Sequence, residues 1–88
     1  MTITTETVPK VGRTFRIQWE PAQEAWVLLY PEGMVKLNQS AGEILKRCDG
    51  SARVADIVAD LEATFNTQGL AGDVIGFIEL AVQQKWVE

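Results

Sequence analysis

Residues 13–37 read RTFRIQWEPAQEAWVLLYPEGMVKL, and their apolar pattern is typical of consecutive β-strands. From Arg13 to Glu20, apolar and polar side chains alternate, which is the period-two pattern of a strand with one face in water. The run from Ala25 to Leu29 is apolar on both faces, which predicts a central strand. A Pro-Glu-Gly turn at 31–33 then leads into a short third strand, Met34 to Leu37. The stretch therefore predicts a three-stranded antiparallel β-meander.

Two amphipathic helices are predicted after the meander. Asn38 is a suitable N-cap for the first, and Asp49-Gly50 ends it because Gly50 can take the positive φ common at helix C-termini. The apolar residues of the first helix at helical spacing are Leu37, Ala41, Ile44, Leu45 and Cys48. Those of the second are Val54, Ile57, Val58, Leu61 and Phe65. Asn66 to Gly69 closes the second helix.

A third helix, from Ala71 or Gly72 to Lys85, is apolar around an unusually wide arc. At 100° per residue its apolar side chains cover about 240°, whereas a one-sided surface helix needs little more than about 100°. These side chains are Val74, Ile75, Phe77, Ile78, Leu80, Ala81, Val82 and Trp86. Either the helix is central in the bundle, or one of its flanks is open to a partner. Trp86 and Val87 can add a short extended piece.

Three strands followed by three helices indicate an α+β fold with one hydrophobic core. The 88 residues suffice for one domain, which we assign to 10–88, and residues 1–9 are expected to form a flexible N-terminus without a signal peptide. No apolar run is long enough to span a membrane. The single cysteine, Cys48, cannot form an internal disulfide, which favours a reducing, cytoplasmic location.

The residue inventory argues against catalysis and against nucleic acid. The chain contains no histidine, which removes the commonest general base and metal ligand, and a net charge of −4 repels phosphate backbones. Cys48 falls on the apolar stripe of the first helix and is expected to be a core residue. Trp19 and Trp26 are interpreted as core or rim packing. We therefore predict no catalytic residue, no metal site and no cofactor.

The solvated face of the second helix is expected to carry Asp56, Asp60 and Glu62. At the edge of the meander, Met34 to Leu37 offers unpaired backbone groups that can accept an extended peptide by strand addition. The residues thus favour a protein that binds another polypeptide.

Three segments carry a resemblance to a known family. They are LLYPEGMVKLNQSAGEIL at 28–45, CDGS at 48–51 leading into VADIVADL, and the final QKWVE. From about Pro9 onward the chain resembles the PqqD family of pyrroloquinoline quinone (PQQ) biosynthesis. The resemblance implies a winged helix-turn-helix-like fold that binds the precursor peptide PqqA and presents it to PqqE, a radical S-adenosylmethionine enzyme. A departure from the family is Arg53, where Ser or Thr would cap the second helix better.

The resemblance also implies where the peptide binds. The peptide would add a strand along the third strand and pack its apolar side chains on the third helix. The edge would consist of Met34, Val35, Lys36 and Leu37. The groove wall would consist of Ile75, Ile78, Val82 and Trp86, although the opposite row of Val74, Phe77 and Ala81 remains an alternative.

Three other functions and one question of assembly stay open at this point. The chain could be a DNA-binding winged helix, but its third helix carries only one cation, Lys85. It could be a thiol-dependent factor that uses Cys48, or a structural subunit of a larger complex. The open edge strand and the apolar third helix could also be buried in a homodimer.

Overall fold

A computed structural model describes residues 2–88, and within that range the chain forms three strands followed by three helices. The strands are β1 (Arg16–Glu20), β2 (Ala25–Tyr30) and β3 (Gly33–Lys36), and the helices are α1 (Gln39–Leu45), α2 (Val54–Thr64) and α3 (Ala71–Gln83). The sheet is antiparallel with strand order β1-β2-β3. This arrangement confirms the predicted α+β meander followed by helices.

Several predicted element boundaries shift: β1 begins at Arg16 rather than Arg13, β3 spans Gly33–Lys36 rather than 34–37, and two helices end early for local reasons. Helix α1 ends at Leu45, before Cys48, because the Cys48 N–H bonds three residues back to the Leu45 carbonyl oxygen, at 3.0 Å, and so tightens the last turn. Helix α3 ends at Gln83 because Lys85 takes a φ of 65°, the left-handed conformation that commonly follows a helix. Val87 then pairs with Val11 in an isolated bridge, which is the short extended piece that the sequence predicted.

The inner face of the sheet is built by residues that lie opposite one another on neighbouring strands. Ile17 pairs with Leu28, and Leu28 pairs with Val35, so one apolar row crosses all three strands. Leu28, at the centre of the row, is fully buried. The helices cover this face and complete a single hydrophobic cluster.

Helix α1 packs very closely on strand β2 at Gly42. A Cβ placed on Gly42 would lie 2.5 Å from Cγ of Trp26, so only a residue without a side chain allows this approach. The Trp26 ring in turn contacts the Trp19 ring edge-on, with centroids 5.5 Å apart. Trp26 is half-buried and Trp19 is 46% exposed, which agrees with their expected place in the rim of the core.

The N-terminal segment, which the sequence predicted to be flexible, contacts the core and the start of α2. Ile3 is buried in the core, and the carbonyl oxygens of Thr5 and Thr7 accept hydrogen bonds from the first amides of α2, at 2.9 Å from Ala55 and 2.8 Å from Val54. The side chain of Arg53, the N-cap residue of α2, carries no acceptor for these amides. The backbone carbonyls of Thr5 and Thr7 therefore accept hydrogen bonds that a capping side chain would otherwise accept.

No helix in the described part of the chain has the length and apolar character that crossing a membrane would require.

Candidate functional site

The outer edge of β3 presents free backbone groups. The Leu37 N–H donates to the Trp26 carbonyl oxygen at 2.9 Å, so Leu37 and Trp26 are a hydrogen-bonded pair of the ladder between β2 and β3. Bonded and non-bonded pairs alternate along an antiparallel ladder, and Val35, opposite Leu28, is therefore also bonded to β2. The N–H and C=O of Met34 and Lys36 consequently point away from β2. No other strand within residues 2–88 pairs with this edge.

The side chains of the predicted edge residues divide between the core and the surface. Met34 is 51% exposed and Lys36 is exposed, on the outer face of the sheet. Val35 is half-buried and packs against the core, whereas Leu37 is buried within it. Two of the four predicted residues thus offer backbone groups and one offers a partly open apolar side chain. Leu37 contributes to the core instead.

Helix α3 buries the centre of its apolar arc and leaves both flanks partly open. Val74, Ile78 and Ala81 are the buried residues. On one flank Ile75 and Val82 are half-buried. On the other flank Phe77 is half-buried and Leu80 is 46% exposed.

These positions correct two parts of the expected groove wall. Ile78 is fully buried and cannot line a groove, because it faces the core between the two flanks. Of the alternative row, Val74 and Ala81 are buried for the same reason, and only Phe77 remains accessible. A helical wheel gives the width of an apolar arc but does not say which part of it the core covers.

Trp86 is fixed by backbone pairing at the C-terminal end of α3. Its N–H donates to the Ala81 carbonyl oxygen at 2.9 Å, and its own carbonyl oxygen accepts from the Gly12 N–H at 2.8 Å. Its side chain is half-buried and packs against the core. The half-buried residues that pack against the core include Val35, Ile75, Phe77, Val82 and Trp86.

A concavity that the sequence did not reveal lies between α1, the end of α2 and the start of α3, with a volume of about 260 Å³. Its floor consists of the buried Ile44, Leu61 and Val74, and Phe65, 43% exposed, lies at its mouth. The sequence contained one hint, because Phe65 lies at the end of the apolar stripe of α2. No single element lines the concavity, and a pattern within one element could not predict it.

Arg47 links α1 to α2 beside this concavity. It donates to Asp60 and, at 2.8 Å, to the carboxylate of Glu43, while Lys46 lies 3.1 Å from Glu43. Partial burial alone would raise the pKa of Glu43, but hydrogen bonds from Arg47 and Lys46 and their positive charges together lower it. Of the acidic residues expected on the solvated face of α2, Asp60 thus has a structural role.

Cys48 is a buried free thiol, as the sequence predicted. Burial, with a smaller contribution from the charge of Asp49, raises the pKa of Cys48 to about 12. A thiol with so high a pKa is almost entirely protonated at neutral pH and is a poor nucleophile. Among residues 2–88 no group of three or more His, Cys, Asp or Glu side chains is placed to hold a metal ion.

Comparison with solved structures identifies the class of protein that this fold defines. The chain is similar to the PqqD portion of PqqCD from Methylobacterium extorquens, whose solution NMR structure represents a functional, stand-alone recognition element for ribosomally synthesised and post-translationally modified peptides. The TM-score is 0.83 at 25% identity, covering 99% of this chain and 95% of the other. The fold is that of a peptide recognition element.

The particular family follows from the sequence comparisons. Residues 25–87 match the family model for coenzyme PQQ synthesis protein D (PqqD). The chain is 55% identical over 84 residues to the PqqA binding protein of Pseudomonas aeruginosa strain UCBPP-PA14, covering 94% of this chain and 91% of that protein. It is 51% identical over 82 residues to the PqqA binding protein of Stutzerimonas stutzeri, covering 92% and 89%. The chain belongs to the PqqD family.

Proposed function

We propose that this chain binds the PQQ precursor peptide PqqA by strand addition along β3 and presents it to the radical S-adenosylmethionine enzyme PqqE. Relatives with more than half of their aligned residues in common are PqqA binding proteins, which supports the identity of the peptide. The observation that carries the binding mode is the outward direction of the N–H and C=O groups of Met34 and Lys36.

An added strand would use these four backbone groups for general affinity. Each new hydrogen bond contributes about 0.5–1.5 kcal/mol net, so the edge alone supports only modest binding. Side-chain contacts must supply the remainder and the specificity. We assign them to Val35 on the strand and to Ile75, Val82 and Trp86 on one flank of α3, which are half-buried apolar side chains.

Two substitutions of Lys36 test the strand addition. Lys36→Pro removes one outward N–H and places a ring where the peptide backbone would lie, yet it breaks no bond to β2 and is tolerated on a strand edge. Lys36→Thr removes the same charge but keeps the N–H. We expect Lys36→Pro to weaken PqqA binding by about tenfold or more, and Lys36→Thr to change it by less than about threefold.

The measurement is a titration of the ¹⁵N-labelled chain with synthetic Pseudomonas aeruginosa PqqA, followed through backbone amide shifts and by calorimetry. The amides of Met34 and Lys36 should move together with residues of α3. Shifts confined to α1 and α2 would refute the binding mode, and so would equal affinities of the two Lys36 variants.

The choice of flank on α3 is tested by truncating one side chain on each side. Val82→Ala should weaken PqqA binding by about threefold to tenfold, because it removes apolar contact area, while Leu80→Ala should leave the affinity unchanged. The reverse result would place the peptide on the flank of Phe77.

The chain acts here by holding and presenting, and we assign the chemistry to PqqE. The raised pKa of the buried Cys48 supports this division, because the thiol is neither ionised nor accessible at neutral pH. A single unpaired thiol is compatible with a reducing compartment, and we propose that PqqA is bound in the cytoplasm.

A further inference from the structure

The second edge of the sheet, along β1, also presents free backbone groups. A residue of an antiparallel strand directs both of its backbone groups to one side, and those of Trp26 point to β3. Those of Val27 therefore point to β1, where they bond its partner Gln18. The N–H and C=O of Ile17 and Trp19 consequently point away from β2. No other strand within residues 2–88 pairs with this edge, and no hydrogen bond from elsewhere in that range reaches it.

We propose that two copies of this chain associate through their β1 edges, as antiparallel strands related by a two-fold axis at Gln18. The two sheets would become one sheet of six strands, in the order β3-β2-β1-β1-β2-β3. The inference goes beyond the function proposed above and does not depend on it, because β1 is the edge opposite β3.

The charges of β1 are self-complementary in this arrangement. With Gln18 opposite Gln18 of the second copy, Arg16 lies opposite Glu20 of that copy, and Glu20 lies opposite its Arg16. Neither side chain forms an ion pair within residues 2–88, and Glu20 accepts only a long bond, at 3.4 Å, from the Ala22 N–H. Opposite charges that face each other across two strands stabilise the pairing, whereas parallel strands would set Arg16 beside Arg16.

The backbone groups favour the same register. Ile17 lies opposite Trp19 of the second copy, so the outward groups of both residues meet and form hydrogen bonds on each side of the axis. A register centred on Trp19 would place Pro21, which has no N–H, opposite Ile17. A register centred on Ile17 would face Arg16 with Gln18 and lose both ion pairs.

The pairing also covers an exposed aromatic side chain. Trp19 is 46% exposed, although its ring contacts the Trp26 ring edge-on. Ile17 of the second copy would lie against it, and pairs of aromatic and β-branched side chains across strands are stabilising. Charged side chains on an edge strand usually prevent association. On β1 the two charges differ in sign and lie at opposite ends of the strand, so they select a second copy.

A pair of β1 strands closes on itself and leaves both β3 edges free. Pairing of β1 with β3 of another copy would instead continue head to tail and build an open chain of molecules. The interface is small, because each copy contributes one strand of five residues. We therefore expect a reversible dimer at protein concentrations on the order of 100 μM.

Charge reversal tests the pairing, by sedimentation velocity of the full chain at about 10–500 μM. Arg16→Glu and Glu20→Arg each place like charges opposite each other, and each should raise the dimer dissociation constant by about fivefold or more at low salt. The double variant restores opposite charges and should return the constant to within about twofold of the wild type. Lys36→Glu, on the β3 edge, is the control and should change it by less than about twofold.

The two single variants change the net charge in opposite directions, so long-range repulsion between copies cannot explain a weaker dimer in both. A wild-type chain that stays monomeric over the whole range would overturn the inference. A double variant that keeps its circular dichroism but dimerises no better than the single variants would also overturn it. Loss of the dimer in Lys36→Glu would place the interface on β3, with the same consequence.

A cysteine on the axis tests the register without changing a charge. In a non-bonded antiparallel pair the Cα atoms are about 4.5 Å apart, which a disulfide can span, so Gln18→Cys should cross-link two copies under mild oxidation. Gln23→Cys is the matched control, because Gln23 is exposed in the turn after β1 and lies far from the axis. The natural Cys48 is buried and should not compete. Equal cross-linking of the two variants, or none in Gln18→Cys, would contradict the register.

Binding of PqqA separates this inference from the proposed function. The wild-type dimer saturated with PqqA should remain a dimer, and Arg16→Glu should bind PqqA with the wild-type affinity although it is monomeric. A dimer that dissociates when PqqA binds would assign the β1 edge to the peptide and overturn the inference. A dimer that binds no PqqA would refute the proposed function and leave the β1 pairing standing.

Discussion

Replacing Gly42 by Ala tests the closest approach between a helix and the sheet. A Cβ at position 42 would lie 2.5 Å from Cγ and 2.6 Å from Cβ of Trp26, whereas carbon atoms in contact prefer about 3.5–4.0 Å. A rotation of the Trp26 side chain cannot relieve the overlap, because its Cβ is attached to the backbone of β2. Helix α1 and strand β2 must therefore separate by about 1 Å.

The expected cost follows from two opposing effects. Overpacking of this kind costs about 1–3 kcal/mol, while Ala in place of Gly in a helix gains about 0.5–1 kcal/mol. We therefore expect Gly42→Ala to lower the free energy of unfolding by about 1–2 kcal/mol. Gly76, in α3, is the matched control because a Cβ there meets nothing within 4 Å. Gly76→Ala should raise the free energy of unfolding by about 0.5–1 kcal/mol.

Urea denaturation followed by tryptophan fluorescence distinguishes the two variants by the sign of the change. With a slope near 1 kcal/mol per molar urea, the midpoint should fall by about 1–2 M for Gly42→Ala and rise by about 0.5–1 M for Gly76→Ala. A midpoint for Gly42→Ala at or above that of the wild type would refute the reasoning, because it would mean that α1 does not rest on Trp26.

Three further predictions concern the terminus, the thiol and the acid limit. Ile3→Ala should lower the free energy of unfolding by about 1–2 kcal/mol in urea melts and speed hydrogen exchange at Val54, whereas a free terminus would give no change. Cys48 should react with a thiol reagent only in urea, and Cys48→Ala should bind PqqA normally; fast labelling of the folded chain would contradict this. Because the pKa of Glu43 is lowered in the fold, its contribution to stability is present above its ordinary pKa of 4.5 and is lost as the pH falls further. In thermal melts at decreasing pH, Arg47→Met should therefore make the melting temperature fall less steeply below about pH 4.5. An unchanged slope would contradict the interaction between Arg47 and Glu43.

The strands could be predicted from sequence because their signals are local. Alternation from Arg13 to Glu20, the run at β2 and the Pro-Glu-Gly turn each act within a few residues, and the register follows from the turn. The order of strands and helices then left few ways to build one core. The edge at Met34 and Lys36 could be located on the same basis, since β3 is the last strand of the meander.

The parts that the sequence missed depend on contacts between distant segments. Ile78 was assigned to the groove wall because the sequence does not show which part of the apolar arc of α3 is buried. Only packing against α2 decides that. The contacts of residues 2–9 with α2 were not predicted, because a cap made by the carbonyls of Thr5 and Thr7 leaves no side-chain signal. The concavity at Phe65 is lined by α1, the end of α2, the following loop and the start of α3, so no periodicity within one segment could reveal it.

The excess apolar surface of α3 has a physical explanation in this fold. The buried centre, Val74, Ile78 and Ala81, is all that a helix with one packed face requires. Ile75 and Val82 extend the apolar surface on one side, and Phe77 and Leu80 extend it on the other. A helix that only completed a core would carry polar residues at those positions, since exposed apolar side chains favour aggregation. Apolar residues at these positions are expected of a helix that also contributes to a binding surface, which supports the proposed contact of Ile75 and Val82 with PqqA.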